Sequence, residues 1–469
     1  MRSIRLTPSA LRWTTATLLA VVALLPAPGA THASTAAGPI PGLTASMLSP
    51  DAWIARLDAP DTVVLDAAAI AAQNARMRRE DASIFDPLAL PARIEGRTVA
   101  EWIEAISRRP SAPRFTAEGA VSPAMFDAWL DALALDALPA QVAPRFGLVV
   151  RRADLRAFPT ATRVFSRPDD TDIDRFQEDA LFPGTPVAVL HASRDGAWLF
   201  VVSERYRAWI ESKHVAIGGK SEVAGYAARA AEGVVVTGAT ARTVFTPQAP
   251  EVSDVQLEMG VRVPRADWNI ARALHGQVPA FGRVVELPVR ADDGALSFAP
   301  ALLPAAADVA DDVLPYTRAA LIRQAFKFLG ERYGWGHSYN ARDCSGFASE
   351  IYRSVGILLP RNTSAQAVSP ALNRIEVTAD MSHAQRLQLL READVGDMVF
   401  IPGHVMMVIG HVDGEPWVIH DTAGMSVRDA GGSVVRLPLN GVVVTPVTPM
   451  LSGADGFTID RITSIQRVR

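Results

Sequence analysis

The chain has a single cysteine, Cys344, among 469 residues, so no internal disulfide can hold its fold together. Stability must come from buried apolar surface instead. The composition permits this, because hydrophobic residues make up 49% of the chain and charged residues 20%. A chain of this length accommodates about three or four domains. The sequence therefore predicts a multi-domain protein whose domains each rely on a packed core.

The first 33 residues have the pattern of a secretory signal peptide. Arg2, Arg5 and Arg12 precede an unbroken apolar run over residues 18–25, and a candidate cleavage site follows at residues 31–33. An uncleaved membrane anchor is the alternative interpretation. Because no later segment reaches about 18 consecutive apolar residues, we predict an exported protein with no transmembrane span in the mature chain. Its expected location is the periplasm, the extracellular space or the cell wall.

Charge and ligand spacing exclude further classes of partner. The formal net charge is -4, and no run of Lys and Arg stands out. Nucleic-acid-binding domains carry clustered basic side chains, which this chain lacks. One cysteine and scattered histidines do not have the spacing of a zinc site. We expect no nucleic-acid partner, no metal and no cofactor, and we expect a monomer.

Two changes of pattern divide the chain into predicted domains. Residues 34–145 contain segments such as TVAEWIEAIS, with apolar residues at helical spacing, and predict a mainly helical domain. Strand-like runs with turn signals at Arg194–Gly196 and Asp293–Gly294 then predict two small β barrels, over residues 146–222 and 223–305. Trp198 and Trp209 fit the core or the groove of the first barrel. Residues 302–317 are predicted as the linker into an α+β domain, which we place at 306–469.

Cys344 stands at the start of a predicted helix, directly after Asp343. The thiolate is the nucleophilic form of cysteine, and a helix N-terminus favours it by lowering the thiol pKa. Cys344 is therefore either a reactive thiol or a buried, inert apolar side chain. The carboxylate of Asp343 opposes a thiolate, so we expect it to bind backbone N–H groups or substrate.

A reactive thiol needs a base and a group that orients the base. His404 starts one predicted strand and His420 ends the next. A helix carrying Cys344 and packed on both strands would bring together the thiol, a base and a group that orients the base. If Asp413–Gly414 is a two-residue turn, His404 faces Ala423 and His420 points to the opposite face of the sheet. Both histidines can point at one thiol only if the loop has an odd number of residues or the hairpin contains a bulge. The alternative is that both are surface or loop histidines; the same domain also contains His337, His383 and His411.

Three motifs around this cysteine resemble the signatures of NlpC/P60 cysteine peptidases. They are RYGWG, DCSGF and GHVMMVIG, in the family's order and at compatible spacing, within roughly residues 314–469. Members of that family cut bacterial cell-wall peptides on a circularly permuted papain-like fold. The resemblance implies that Cys344 is the nucleophile, His404 the base and His420 the residue that orients the base.

The resemblance also extends to substrate contacts and to the upstream domains. It implies that Tyr333 and Trp335 line the site, and that Asp343 and Ser345 contact substrate. NARM at residues 74–77 and LRAFPT at residues 155–160 resemble signatures of a multi-domain subgroup, with an N-terminal stabilising domain and two bacterial SH3-like barrels. In that subgroup the first barrel walls off the active site and restricts substrates to short, released muropeptides.

One stretch departs from the pattern of relatives that require a free L-Ala amine. Where those relatives often carry Arg-Asp-Ser, this chain has PRNTSAQ, with Asn362 and Thr363 at the expected substrate-contacting positions. Asn supplies no charge, and a charge-assisted hydrogen bond is about twice as strong as a neutral one. An acid from the first barrel could replace the missing carboxylate, and the candidates are Asp170, Asp172 and Asp174. The alternative is that these three belong to a solvated acidic loop.

The resemblance implies an exported, metal-independent endopeptidase that hydrolyses peptidoglycan stem peptides or muropeptides. The expected bond joins γ-D-glutamate to meso-diaminopimelate, and the expected route is a Cys-His-His triad with a thioester intermediate. Two alternatives keep the same scaffold, an N-acetylmuramoyl-L-alanine amidase and a thiol acyltransferase. A third is a non-catalytic protein that binds the wall through its SH3-like barrels.

Overall fold

The computed structural model describes residues 38–453 and 456–469. The predicted signal peptide therefore lies outside the described residues. Within these two ranges, no helix has the length and apolar character that a membrane crossing requires. The described chain mixes helices and strands along its whole length, and the prediction of an α+β multi-domain fold is confirmed.

The N-terminal region packs against two different neighbours. Trp53 and Met77 are buried in the same core as the Cys344 domain, whereas Val99 and Trp129 are buried against the first barrel. The described part of the predicted helical domain is thus divided between two cores. Its helices are α1 (Pro50–Ile54), α2 (Ala67–Glu80), α3 (Gly96–Ile106) and α4 (Pro123–Ala132), and its strands are β1 (Val63–Leu65), β2 (Ile94–Glu95), β3 (Phe115–Thr116), β4 (Gly119–Ala120) and β5 (Gln141–Val142).

The NARM motif on α2 fastens this helix to the C-terminal domain. The side chain of Asn74 donates to the Gly356 carbonyl at 2.7 Å and accepts from the Leu358 amide at 2.8 Å. Met77, three residues further along the helix, is fully buried in the shared core. Both residues therefore hold the segment that follows the Cys344 helix.

The first barrel is a seven-stranded antiparallel sheet. Its hairpin at Asp195–Gly196 confirms the predicted turn, and Trp198 and Trp209 are buried in its core, as predicted. The strands are β6 (Arg145–Val149), β7 (Ala153–Arg156), β8 (Gln177–Leu181), β9 (Pro186–Ala192), β10 (Trp198–Val202), β11 (Arg207–Glu211) and β12 (Val215–Gly218), in the order β12-β6-β9-β10-β11-β7-β8. Helix α5 (Lys220–Ala231) follows.

A second strand-rich region follows α5, and it extends beyond its predicted boundary. Residues 309–310 pair antiparallel with 235–236, so part of the predicted linker belongs to a sheet. The linker prediction is wrong there, because a two-residue strand is too short for a sequence pattern to reveal. It is also wrong at residues 302–304, which complete the nine-residue strand that begins at Leu296. The strands are β13 (Val234–Val236), β14 (Thr240–Arg242), β15 (Gln256–Glu258), β16 (Arg262–Val263), β17 (Gly282–Arg290), β18 (Leu296–Pro304) and β19 (Val309–Ala310). That this region is a second SH3-like barrel stays a prediction.

The C-terminal domain packs the Cys344 helix against an antiparallel sheet of order β21-β30-β22-β23-β24-β27. Its helices are α6 (Arg318–Phe326), α7 (Cys344–Ser354), α8 (Thr363–Val368) and α9 (His383–Arg391). Its strands are β20 (Tyr316–Thr317), β21 (Asn373–Glu376), β22 (Met398–Ile401), β23 (His404–Val412), β24 (Glu415–Thr422), β25 (Met425–Arg428), β26 (Val434–Leu437), β27 (Gly441–Pro446), β28 (Leu451–Ser452), β29 (Gly456–Phe457) and β30 (Ser464–Arg467).

The β23–β24 hairpin contains the bulge that the two histidines require. Val412 pairs with Glu415 across a two-residue turn, and the register shifts by one residue between Val408 and Gly410. Gly410 has a φ of 144°, which a residue with a side chain rarely adopts. The extra residue changes which side chains of the two strands point to the same face. His404 and His420 therefore project from the same face of the sheet.

Candidate active site

Cys344 is the first residue of α7, and Asp343 caps this helix. The Oδ1 atom of Asp343 accepts a hydrogen bond from the Gly346 backbone amide at 2.8 Å. The predicted helix start at the thiol is therefore confirmed. The sulfur lies 3.5 Å from Thr363 Oγ1 and beside the backbone amide of Val405, the residue that follows His404.

Burial disfavours the charged forms of both the Cys344 thiol and the His404 imidazole. Burial raises the pKa of Cys344 to about 12, with a further contribution from the Asp343 carboxylate. Burial lowers the pKa of His404 to about 4. The expectation that the helix start lowers the thiol pKa is wrong, because desolvation and a neighbouring carboxylate outweigh a helix N-terminus.

The two histidines form a hydrogen-bonded chain. His404 Nε2 lies 2.7 Å from His420 Nδ1, and His420 Nε2 lies 3.0 Å from Thr445 Oγ1. If each N–H points away from the thiol, His404 donates to His420 and His420 donates to Thr445. His404 Nδ1 then keeps its lone pair free for the thiol proton. The arrangement thus allows His404 to act as a base whose tautomer is set by His420.

Arg361 joins the cap of the Cys344 helix to the first barrel. Its guanidinium donates to Asp343 Oδ2 at 2.8 Å, to Ser345 Oγ at 3.0 Å and to Asp179 on β8. The Ser345 hydroxyl donates in turn to Asp343 Oδ1 at 3.2 Å. Asp343 and Ser345 therefore use their polar atoms inside the protein, beside the thiol. Nothing in the sequence pattern singled out Arg361 or Asp179.

Tyr333 and Trp335 lie in the loop before Cys344. Burial and the charges of Cys344 and Asp343 raise the pKa of Tyr333, so its hydroxyl keeps its proton and can donate. The indole nitrogen of Trp335 donates to the Gln177 carbonyl of the first barrel at 3.1 Å. Tyr333 is thus beside the thiol, whereas Trp335 fixes the loop against β8.

An acid of the first barrel does approach the site, and it is Glu178. Tyr206 donates to Glu178 Oε2, and the same hydroxyl interacts with the side chain of Asn362, next to Thr363. Burial raises the pKa of Glu178 to about 7, with Tyr206 and Arg361 acting in the opposite direction. Glu178 belongs to the same acidic stretch as the three predicted candidates but was not among them.

The three acids selected from sequence have other partners. Asp172 pairs with Arg332 at 2.5 Å, and Asp170 lies 3.4 Å from Arg167. Asp174 is buried, pairs with Arg156 of the LRAFPT motif at 2.5 Å and accepts from two backbone amides. Asp174 therefore shapes the loop between β7 and β8, and the alternative of a solvated loop does not describe it.

Asp421 adds a buried acid that the sequence analysis also missed. Neither of its carboxyl oxygens has a hydrogen-bond partner in the described ranges. Burial, with the charges of Asp343 and Glu331, raises its pKa well above the usual value. Asp421 lies close enough to Tyr333 and Cys344 for its charge to raise the pKa of both.

A thiol at the start of a buried helix thus lies against an antiparallel sheet that presents a histidine pair, and together they form a candidate active site. The NlpC/P60 family profile matches residues 330–442, and an SH3 domain profile of the SH3b1 type matches residues 163–211. A protein of Corynebacterium glutamicum named "Probable endopeptidase" is 30% identical over 168 residues, which cover 35% of this chain and 67% of that protein. This chain therefore belongs to the NlpC/P60 family.

Two further likenesses differ in extent. A Listeria seeligeri protein named "Probable endopeptidase p60" is 34% identical over 97 residues, or 19% of this chain. The match spans only 16% of that relative's length. A solved NlpC/P60 endopeptidase from Photobacterium damselae subsp. piscicida aligns with a TM-score of 0.69 at 15% identity, covering 88% of this chain and 95% of that one. At this identity the likeness establishes the shared fold.

Proposed function

We propose that the protein is a cysteine endopeptidase of peptidoglycan peptides, with Cys344 as nucleophile, His404 as base and His420 as the group that orients the base. The observation that carries the proposal is the 2.7 Å contact between His404 Nε2 and His420 Nδ1, at the strand end where Val405 touches the sulfur. The names of the similar proteins, which describe endopeptidases, agree with it.

The proposed reaction begins from neutral partners. His404 Nδ1 takes the thiol proton as the sulfur attacks the substrate carbonyl, and a tetrahedral oxyanion forms. The Cys344 backbone N–H and the Tyr333 hydroxyl can donate to this oxyanion. His404 then gives its proton to the leaving amine, and a thioester remains on Cys344. Water, deprotonated by His404, hydrolyses the thioester and frees the thiol.

The acyl side of the substrate is proposed to lie between the Cys344 helix and the first barrel. Glu178 with Tyr206 and Asn362 offers an acceptor for an amine near Thr363. This set would replace the carboxylate that Asn362 lacks. A terminal L-Ala amine fits it, and the scissile bond is then that between γ-D-glutamate and meso-diaminopimelate.

The first barrel is proposed to limit the size of the substrate. Its strand β8 contacts the loop before Cys344 through Gln177, whose side chain donates to the Gly336 carbonyl at 2.8 Å. A barrel held this close favours short, released muropeptides over cross-linked wall. Export to the periplasm or the cell wall, and a monomeric state, complete the proposal.

The test uses defined substrates and product masses. The purified protein is incubated with L-Ala-γ-D-Glu-meso-diaminopimelate, with its N-acetylated form and with the N-acetylmuramoyl tripeptide. We expect L-Ala-γ-D-Glu from the free-amine substrate and slower cleavage of the other two. Release of the intact tripeptide from the muramoyl substrate would instead indicate an amidase. Wall binding without any product, unchanged by thiol alkylation, would indicate a binding module.

A further inference from the structure

A large cleft lies behind the Cys344 helix, apart from the thiol. It has a volume of about 1020 Å³ and is bounded by α2, the first barrel, the region after α5 and the segment that follows α7. Arg353 lines it from α7, nine residues after Cys344, which is about 13 Å along a helix axis. None of Cys344, His404 and His420 lines this cleft.

The cleft wall contains arginines and carboxylates, and their pairing is uneven. Each lining carboxylate has a partner: Asp66 and Asp86 accept from backbone amides, Asp179 pairs with Arg361, Glu204 with Arg78, and Asp312 with Arg262. Arg205 and Arg353 have no hydrogen bond or ion pair to another described residue. The guanidinium of Arg353 stands only over the ring of Phe182, 5.3 Å from its centroid.

The positive charges of Arg205 and Arg353 repel each other. Burial lowers the pKa of Arg205 to about 10, and the charge of Arg353 contributes to this shift. The carboxylates of Asp179 and Glu204 act on Arg205 in the opposite direction, but they are paired with Arg361 and Arg78. An anion between the guanidinium groups of Arg205 and Arg353 would therefore receive charge-assisted hydrogen bonds from both.

The apolar side chains in the cleft wall indicate that the rest of a bound ligand is apolar. Apolar side chains from each bounding element form much of the wall, among them Ile70, Leu88, Val261, Val313 and Leu358. Clefts of this size between domains are typical ligand sites, with an apolar lining and a few polar anchors.

We propose that this cleft binds a small organic anion whose carboxylate or phosphate lies between Arg205 and Arg353 and whose apolar body contacts the surrounding wall. Arg205 belongs to the first barrel and Arg353 to the helix that carries Cys344. The bound anion therefore joins these two units and stabilises their arrangement by mass action. The site is independent of the proposed peptidase activity.

The experiment measures binding by thermal unfolding and by calorimetry. Octanoate and octyl phosphate are titrated into the full chain, and octanol serves as the neutral match at equal ionic strength. We expect a saturable rise in Tm with one or both anions and none with octanol. A response to octanoate alone identifies a carboxylate ligand, and a response to octyl phosphate alone identifies a phosphate.

Variants connect the response to the two arginines. Arg205→Gln and Arg353→Gln should each weaken anion binding at least tenfold. Arg353→Lys should lose less affinity for the anion, because lysine keeps the positive charge. Arg97→Gln, at an exposed position of α3, is the matched control and should bind as the wild type does. The proposal is overturned if neither anion binds saturably, if octanol stabilises the protein equally, or if both Gln variants bind with wild-type affinity. Melting without ligand shows that each variant is folded.

Discussion

Replacing Arg361 should destabilise the protein strongly, because its guanidinium holds two buried carboxylates. Arg361 is 2% exposed and bonds both Asp343 and Asp179. Removing one partner of a buried charge pair costs about 3–5 kcal/mol. In Arg361→Met, Asp343 still accepts a hydrogen bond from the Gly346 amide, and Asp179 still lies 3.0 Å from His337. We therefore expect the free energy of unfolding to fall by about 3 kcal/mol, the lower end of that range.

The loss of stability in Arg361→Met should depend on pH. Burial alone would raise the pKa of Asp179 and of Asp343, but the Arg361 charge, together with His337 and hydrogen bonds, more than offsets it, and both pKa values are lowered. A carboxylate with a lowered pKa stabilises the fold above its unfolded pKa of about 3.9, and this contribution is lost as the pH falls. The difference between wild type and Arg361→Met should therefore be full at pH 7 and shrink below about pH 4.

The assay is urea unfolding followed by circular dichroism at several pH values. Arg97→Met is the control, since that side chain is 86% exposed, and its effect should stay within about 0.5 kcal/mol. A loss under about 1 kcal/mol at pH 7, or a loss that does not change with pH, would refute the argument that Arg361 compensates buried charge.

Four other variants test the site and its support. His404→Ala should reduce kcat as much as removal of the thiol, whereas His420→Asn should retain part of it, because the Asn oxygen can accept from His404; equal losses would contradict these roles. The rate of cleavage of free-amine substrates should rise as the pH increases through about 7, where Glu178 loses its proton. Glu178→Gln should abolish this rise in rate with pH and leave cleavage of the N-acetylated substrate unchanged. Asn74→Ala should cost about 1–3 kcal/mol in urea unfolding, since it removes both hydrogen bonds to the segment after α7; an unchanged midpoint would be inconsistent with that anchor.

Local chemistry made some of these features predictable from the sequence. The helix start at Cys344 follows from an Asp cap and apolar spacing, which act within one turn. The bulge in the β23–β24 hairpin could be predicted from the alternation of side chains along a strand, because His404 and His420 can share a sheet face across a two-residue turn only if the register shifts by one residue. Glycine at position 410, with its φ of 144°, is the residue that permits the shift.

Features that depend on packing between units could not be predicted in this way. Glu178 and Asp174 lie four residues apart in one acidic stretch, and only the path of β8 decides which of them approaches Thr363. The pKa of the thiol depends on how deeply α7 is buried, which its N-terminal sequence does not encode. Arg361 forms its ion pairs across two units, so neither unit's sequence pattern reveals them.

The most direct test of the central claim is the rate at which Cys344→Ala cleaves L-Ala-γ-D-Glu-meso-diaminopimelate, with products resolved by mass. The variant must melt as the wild type does, so that a lost fold is not mistaken for a lost nucleophile. Our account predicts no product above the level without protein. Turnover of the folded variant at a rate near that of the wild type would contradict it.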